Sequence, residues 1–203
     1  MRSSKPKSVA PSSIVVEPAI AERWPDVNAL FAGQGDRGCW CQYWRQSSSD
    51  YSKGKPGSGQ SNLRRQVMEG PPPGMIAYVD GTPAGWLVFW PRDRMERIVR
   101  SRTIPKVDDK PVWAIVCFMV RTGYRRHGVA VALLRGAIAT ARTAGVPALE
   151  AYPIDSDGER LDVTTSYVGF TTMFESAGFQ KVIETDARSA NRARILMRLN
   201  LQS

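Results

Sequence analysis

The sequence predicts a single mixed α/β domain, and three observations carry that class. Residues Val112 to Val120 form an unbroken apolar run of nine residues, the mark of a strand buried on both faces at the centre of a sheet. After Gly128 the pattern becomes helical: Val131, Leu134, Ile138 and Ala141 share one stripe, Arg135 and Arg142 fall outside it, and Gly145 supplies the stop. Pro147 then leads into a second apolar strand, Ala148 to Tyr152. The span therefore reads as strand, helix and parallel strand, since parallel neighbours need a crossover of this length.

The flanking segments complete the sheet. Met1 to Ser12 is rich in Ser, Pro and Lys and reads as a mobile tail, with order beginning at Ile14 to Val16 and one domain running from residue 13 to 203. From Pro18 to Phe31, Ile20, Trp24, Val27, Leu30 and Phe31 approximate a helical face that Pro25 divides into two short pieces. Gly33, Gly35 and Gly38 precede the aromatic segment Cys39 to Trp44, which either packs in the core or lines a pocket. Ser47 to Gly59 reads as a loop by composition; Ser61 then caps a short helix with Leu63 and Val67 on one face, ended by Gly70 to Gly74. Met75 to Val79 and Ala84 to Trp90, joined by Asp80 to Pro83, form an antiparallel hairpin. A last helix sets Phe170, Met173, Phe174 and Ala177 on one face before Gly178, and strands at Phe179 to Glu184 and Ile195 to Leu201 close the chain.

Composition narrows the function classes. With 42% hydrophobic and 23% charged residues the chain is an ordinary globular one. No apolar run approaches the roughly 20 residues of a membrane span, and no secretory signal pattern follows the N-terminus, so a cytoplasmic address is expected. Three cysteines and a single histidine, His127, give neither a disulfide framework nor four zinc ligands; Cys39 and Cys41 read as reduced thiols, and no metal is expected. The net charge of +9 favours anionic ligands, although its clusters, Arg92 to Lys106 and Arg188 to Arg198, lack the interleaved aromatics of a single-strand binder. Nucleic acid is the less favoured partner.

The chemistry sits between the central strand and its helix. Arg125-Arg126-His127-Gly128-Val129-Ala130 places small residues where a backbone can approach a ligand, and the helix N-terminus behind them offers free N–H groups and a positive dipole end. Such a turn suits a pyrophosphate, whose oxygens successive N–H groups can neutralise.

Here the chain resembles the GNAT acetyltransferases. Val120 to Arg125 is similar to the family's strand exit, with Gly123 where a proline is common; Asp80 to Trp86 resembles its hairpin; Met173 to Phe179 resembles its Phe-Tyr-Glu-Lys-x-Gly-Phe helix end. The resemblance covers Ile14 to Leu201 in element order and is specific from Val112 to Phe179. It implies the GNAT fold, a central mixed β-sheet with splayed parallel fourth and fifth strands flanked by helices. It further implies acetyl-CoA as co-substrate, with the pantetheine arm along Phe118, Met119 and Val120, the pyrophosphate at Arg125, Arg126, His127, Gly128, Val129 and Ala130, and a backbone N–H at Phe118 or Met119 facing the oxyanion. The acyl group passes directly to an amine acceptor on a small molecule or a protein, without a covalent enzyme intermediate. A homodimer is compatible with the family.

A primary ammonium with a pKa near ~10 must lose its proton before it attacks. No acid occurs in Val112 to Val120, so Glu150 is the expected general base: Leu149-Glu150-Ala151 resembles the Leu-Glu-Val of relatives that acetylate protein N-termini. The alternative for Glu150 is a strand carboxylate paired with an arginine. Phe174 stands where many relatives carry an acidic tyrosine, so either the thiolate leaves unaided or water, Cys117 or another tyrosine, Tyr152 or Tyr167, protonates it. A member that binds acyl-CoA without turning it over is the competing expectation.

Overall fold

The structure is a computed structural model that describes residues 13–34, 38–155, 167–189 and 191–202. The expected tail, Gly35 and most of the segment 153–165 lie outside the described residues.

Seven strands form one sheet: β1 (Ile14–Pro18), β2 (Gly74–Val79), β3 (Thr82–Pro91), β4 (Trp113–Val120), β5 (Ala148–Ala151), β6 (Gln180–Ser189) and β7 (Arg192–Asn200), in the spatial order β1-β2-β3-β4-β5-β7-β6. β4 is central, as its apolar run requires. It pairs in parallel with β5, while every other neighbouring pair is antiparallel. Among the described residues the helices that flank the sheet are α1 (Trp24–Phe31), α2 (Ser48–Ser52), α3 (Ser58–Glu69), α4 (Glu96–Val99), α5 (Val129–Thr143) and α6 (Thr171–Glu175).

Strand alternation divides the core between the two faces. On β3, Leu87 and Phe89 join the cluster built on Leu133, Leu134, Ala137 and Ile138 of α5, whereas Trp86 and Val88 join the opposite cluster with Phe31 of α1, Leu63 of α3 and Trp40 and Trp44. The aromatic segment is thus anchored in a core, and Phe31 stacks on Trp40 with centroids 5.2 Å apart.

Pro25 divides the helical face as expected: a 3-10 turn, Ala21–Arg23, precedes α1, and Pro25 lies in the first turn of α1, which has no use for its missing N–H. Several other elements differ from the sequence expectation for local reasons. Part of the expected loop Ser47 to Gly59 is helical: the Ser47 side chain accepts the Asp50 N–H at 3.1 Å and caps α2, and α3 starts at Ser58 instead of after Ser61. In α5 the buried arc centres on Leu133, Ala137 and Ala141, so Val131 falls on its edge and is 37% exposed. α6 is only five residues long, with Phe170 extended at its N-cap, yet Phe174 is fully buried against Phe118 and Phe179.

Two glycines set how closely α5 lies on the sheet. A Cβ at Gly136 would stand 2.5 Å from a methyl of Val16, and one at Gly85 would stand 2.7 Å from a methyl of Val129, the first residue of the helix. Gly85→Val is therefore expected to overpack this contact and destabilise the fold by about 1–3 kcal/mol, read as a lower urea midpoint at unchanged slope.

Candidate active site

The β4–β5 ladder is short. It joins Trp113 to Leu149, Ala114 to Glu150 and Ile115 to Ala151, after which β5 ends and β4 continues to Val120. On the other edge of β4, Cys117 opposes Val88 and Ile115 opposes Phe89, so Val116 is an extra, bulged residue. The bulge resets the alternation: Val116 and Cys117 both face the cluster of Trp86, while Ile115 and Phe118 face α5.

Beyond the ladder the backbone of β4 opens into the splay. The Phe118 N–H points there and donates to the Tyr167 carbonyl at 2.6 Å. Arg121 donates its N–H to the Ala84 carbonyl at 2.9 Å, and antiparallel alternation then turns the Met119 N–H toward β3 as well. Of the two expected oxyanion donors, Phe118 alone faces the opening.

The turn after β4 has the backbone that its small residues foretell. Gly123, Arg126 and Gly128 have φ of 92°, 65° and 80°, the left-handed region that glycine enters without strain. Gly128 caps the fifteen-residue α5, and Ala132 is the residue whose N–H reaches back to the Gly128 carbonyl, at 2.9 Å. The N–H groups of the first turn before it have no partner within the helix. A Cβ at Gly128 would meet no atom within 4 Å, so the face of the turn is open, and Arg125 folds over it by donating from Nε to the Val120 carbonyl at 3.0 Å. Open N–H groups, a positive helix end and adjacent arginines fit the pyrophosphate of a coenzyme A substrate.

From this turn a cavity of about 760 Å³ runs along β4. Arg125, Ala130 and Cys117 to Val120 form one side; Phe31, Tyr43, Trp44, Tyr51 and Tyr167 supply an aromatic far wall, with Cys39 and Cys41 between the rings. Arg126, His127, Gly128 and Val129 belong to the turn but not to this wall. Guanidinium groups back the rings: Arg97 lies 3.9 Å from the Tyr43 centroid and Arg194 5.1 Å from that of Trp44. Arg194 also donates to the Tyr167 hydroxyl at 3.2 Å. Burial holds the Tyr167 phenol above its usual range and pushes that of Tyr51 up to about 12. Both remain protonated donors at neutral pH.

The wall carries strain. Trp40 and Cys41 have φ of 45° and 55°, a conformation that costs a non-glycine residue about 1–3 kcal/mol. It brings the Cys41 sulfur to 3.9 Å from that of Cys117. Behind this pair Arg45 is buried, stacked 4.4 Å from the Trp90 centroid and donating to the Pro73 carbonyl. Burial lowers its pKa to about 10.

Glu150 stands elsewhere. It lies at the paired end of the strands, opposite Ala114, is 1% exposed, and is not on the cavity wall. Arg198 donates to one carboxylate oxygen at 2.6 Å; Tyr152, at 2.8 Å, and the Arg92 Nε, at 3.1 Å, reach the other. Arg198 also binds Asp108 and holds that carboxyl down at about 2. Tyr152 is thereby engaged at the closed end, and of the two tyrosines considered for the leaving thiolate Tyr167 alone lines the cavity.

The model of the acetyltransferase (GNAT) family matches residues 40–160. The chain belongs to that family. Among solved structures, the ribosomal-protein-S18-alanine N-acetyltransferase of Escherichia coli is 14% identical, with 94% of this chain and 96% of the other covered and a TM-score of 0.50. Ard1 of Thermoplasma volcanium is 16% identical over 96% and 100% at a TM-score of 0.52. The Salmonella typhimurium protein yncA, solved with its cofactor acetyl-CoA, is 14% identical over 95% and 96% at a TM-score of 0.53. At these identities the likeness is one of fold. No curated protein sequence matches the chain. The GNAT fold expected from the resemblance is the fold observed: a seven-stranded mixed sheet with β4 and β5 parallel and splayed.

Two features of the site had little signal in the sequence. The bulge at Val116 leaves no mark in a continuously apolar run. The Cys41–Cys117 contact spans 76 positions, and its one trace is a cysteine inside that run.

The ion cluster yields two expectations. Glu150→Ala leaves Arg92 short of its buried partner and should destabilise the protein by about 3–5 kcal/mol, measured by urea unfolding. Because its folded pKa is depressed, Asp108 contributes stability above the ordinary carboxylate pKa of about 3.9 and loses it as pH falls toward about 2. Asp108→Asn should flatten the stability curve across that acid window.

Proposed function

We propose that the protein is an acetyl-CoA-dependent N-acetyltransferase, with residues 13–203 as one catalytic domain, that passes the acetyl group directly to a primary amine. The observation that carries this reading is a single cavity joining Arg125 and Ala130 of the open turn, the part of β4 beyond its ladder with β5, and an aromatic wall. A pantetheine arm lying along Phe118 to Val120 ends at that wall, where an amine can meet its thioester. The turn supplies the phosphate contacts, and the Phe118 N–H is the donor available to the oxyanion once a substrate carbonyl displaces that of Tyr167.

The wall narrows the acceptor. Five aromatic side chains line it, four of them against the guanidinium of Arg97 or Arg194. An amine on an aromatic or branched apolar scaffold matches these surfaces, whether a small molecule or a peptide N-terminus; a polycation does not. Glu150 is proposed as a buried counter-ion that fixes the closed end of the splay, since two hydrogen bonds and an ion pair with Arg92 occupy its carboxylate. Phe174, fully buried at the position of the usual acid, supports the second reading, an acyl-CoA binder without turnover. Release of free coenzyme A from acetyl-CoA with an amine panel separates the two.

Gly128→Val forces a branched side chain into a left-handed position and onto the open face of the turn. Calorimetry should show coenzyme A binding lost in a folded variant; undiminished affinity would sink the assignment of this turn. Arg121, Arg125 and Arg126 are proposed to meet the 3′-phosphate, so the 3′-dephospho form should bind more weakly, with the difference shrinking as salt rises.

A further inference from the structure

We infer that Cys117 and Cys41 form a redox-active dithiol that reacts with the disulfide of coenzyme A. The two sulfurs are in contact at 3.9 Å on separate elements, β4 and the turn after Cys39, and both residues line the cavity. The inference rests on the proposal that coenzyme A lies along β4. On that placement the end of the pantetheine arm, where its sulfur is carried, arrives beside Cys117, the residue next to Phe118. A groove shaped for a thioester then also presents a coenzyme A disulfide to the protein thiol pair.

The order of events follows from exposure. Cys117 is half-buried, whereas Cys41 is buried, and contact with Cys117 together with burial holds the Cys41 thiol well above the ordinary range. Cys117 is the sulfur that an incoming disulfide meets as a nucleophile. Its thiolate attacks one sulfur of the disulfide; that S–S bond breaks, a Cys117–coenzyme A bond forms, and one coenzyme A leaves as a thiolate that takes up the proton given up by Cys117. Cys41 then attacks the Cys117 sulfur, forming the Cys41–Cys117 disulfide and releasing the second coenzyme A with the Cys41 proton. Two electrons pass from the cysteine pair, and one disulfide is reduced to two thiols. The sulfurs must close from 3.9 Å to about 2.05 Å, and the left-handed turn at Trp40 and Cys41 is the segment placed to move. An oxidised pair ties the aromatic wall to the bulge of β4, at the far end of the cavity from the phosphate turn.

The experiment treats the reduced full-length protein with coenzyme A disulfide, follows intact mass and released coenzyme A, and maps the cross-linked peptides. The wild type should lose two hydrogens, yield a Cys41–Cys117 peptide and release two coenzyme A per chain. Cys41→Ser should stop as a mixed disulfide at Cys117, and Cys117→Ser should form no adduct. Glutathione disulfide, which lacks the nucleotide that the turn is proposed to hold, should react more slowly by about tenfold or more, and excess acetyl-CoA should slow the coenzyme A disulfide reaction. Calorimetry of coenzyme A on each variant keeps the two readings apart. If coenzyme A binds and all thiols remain free, or the adduct maps to Cys39, the dithiol assignment is overturned. If the pair oxidises equally fast with both disulfides, coenzyme A recognition is overturned, and if coenzyme A does not bind at all, the underlying function falls with it.

Discussion

Where β4 parts from β5 decides where chemistry can happen. The three paired residues end at Ile115 and Ala151, and the closed end is locked by Glu150, which gathers Arg92 from the end of β3 and Arg198 from β7 into one buried cluster. A buried carboxylate with three such partners is difficult to displace, because removing any of them exposes the remaining charges to a low-dielectric surrounding. Beyond it the sheet is held by other means: β4 stays on β3 through the bulge, and β5 gives way to Tyr152 and Pro153. The cavity is the space left between a strand that continues and one that stops.

The position of the arginines follows from what covers that space. A chain with a net charge of +9 could spread its excess over solvent, yet Arg45, Arg97 and Arg194 stack on Trp90, Tyr43 and Trp44 instead. The planar guanidinium is more weakly hydrated than an ammonium and stacks flat on an aromatic face at lower desolvation cost. Tyr43 and Trp44 thus line the cavity and each carries a guanidinium against its ring. Arg45 goes furthest, buried with two of its nitrogens lacking hydrogen-bond partners, which is why its pKa falls to about 10.

Much of this was legible in the sequence because it depends on local pattern. The apolar run at Val112, the glycines of the turn and the hairpin at Asp80 each encode their geometry within a few residues, and all three appear where the pattern places them. The closed end of the splay and the cavity wall were less legible because they are assembled from distant pieces. Glu150 carries the same letters whether it faces a substrate or a buried set of polar partners; only the register with Ala114 and the reach of Arg92 and Arg198 distinguish the cases. Likewise Cys39 to Trp44 is core and pocket wall together: Trp40 and Trp44 are buried, while Tyr43 is 37% exposed and Cys41 faces Cys117. Alternation cannot show this, since the segment is a strained turn with no period.

The charge around the cavity bears on how an amine could lose its proton with Glu150 engaged elsewhere. A group's pKa follows the balance of desolvation and neighbouring charge, and for an ammonium both burial and nearby cations favour the neutral form. On the proposed function, an acceptor entering between the aromatic rings leaves water and approaches Arg97, Arg194 and Arg125. Each effect lowers its pKa from the value near ~10 of a free primary amine, so deprotonation can precede binding or occur at the cavity mouth. The aromatic wall and its guanidinium backing then do for the nucleophile what a carboxylate on the splayed strand would do. They select the neutral amine, where a carboxylate would accept its proton after binding. The price of that arrangement is pH dependence: an amine taken up neutral becomes scarcer as pH falls, and the acidic limb of kcat/KM is governed by the acceptor's own pKa, moving from one amine to another, where an enzyme base would hold it fixed.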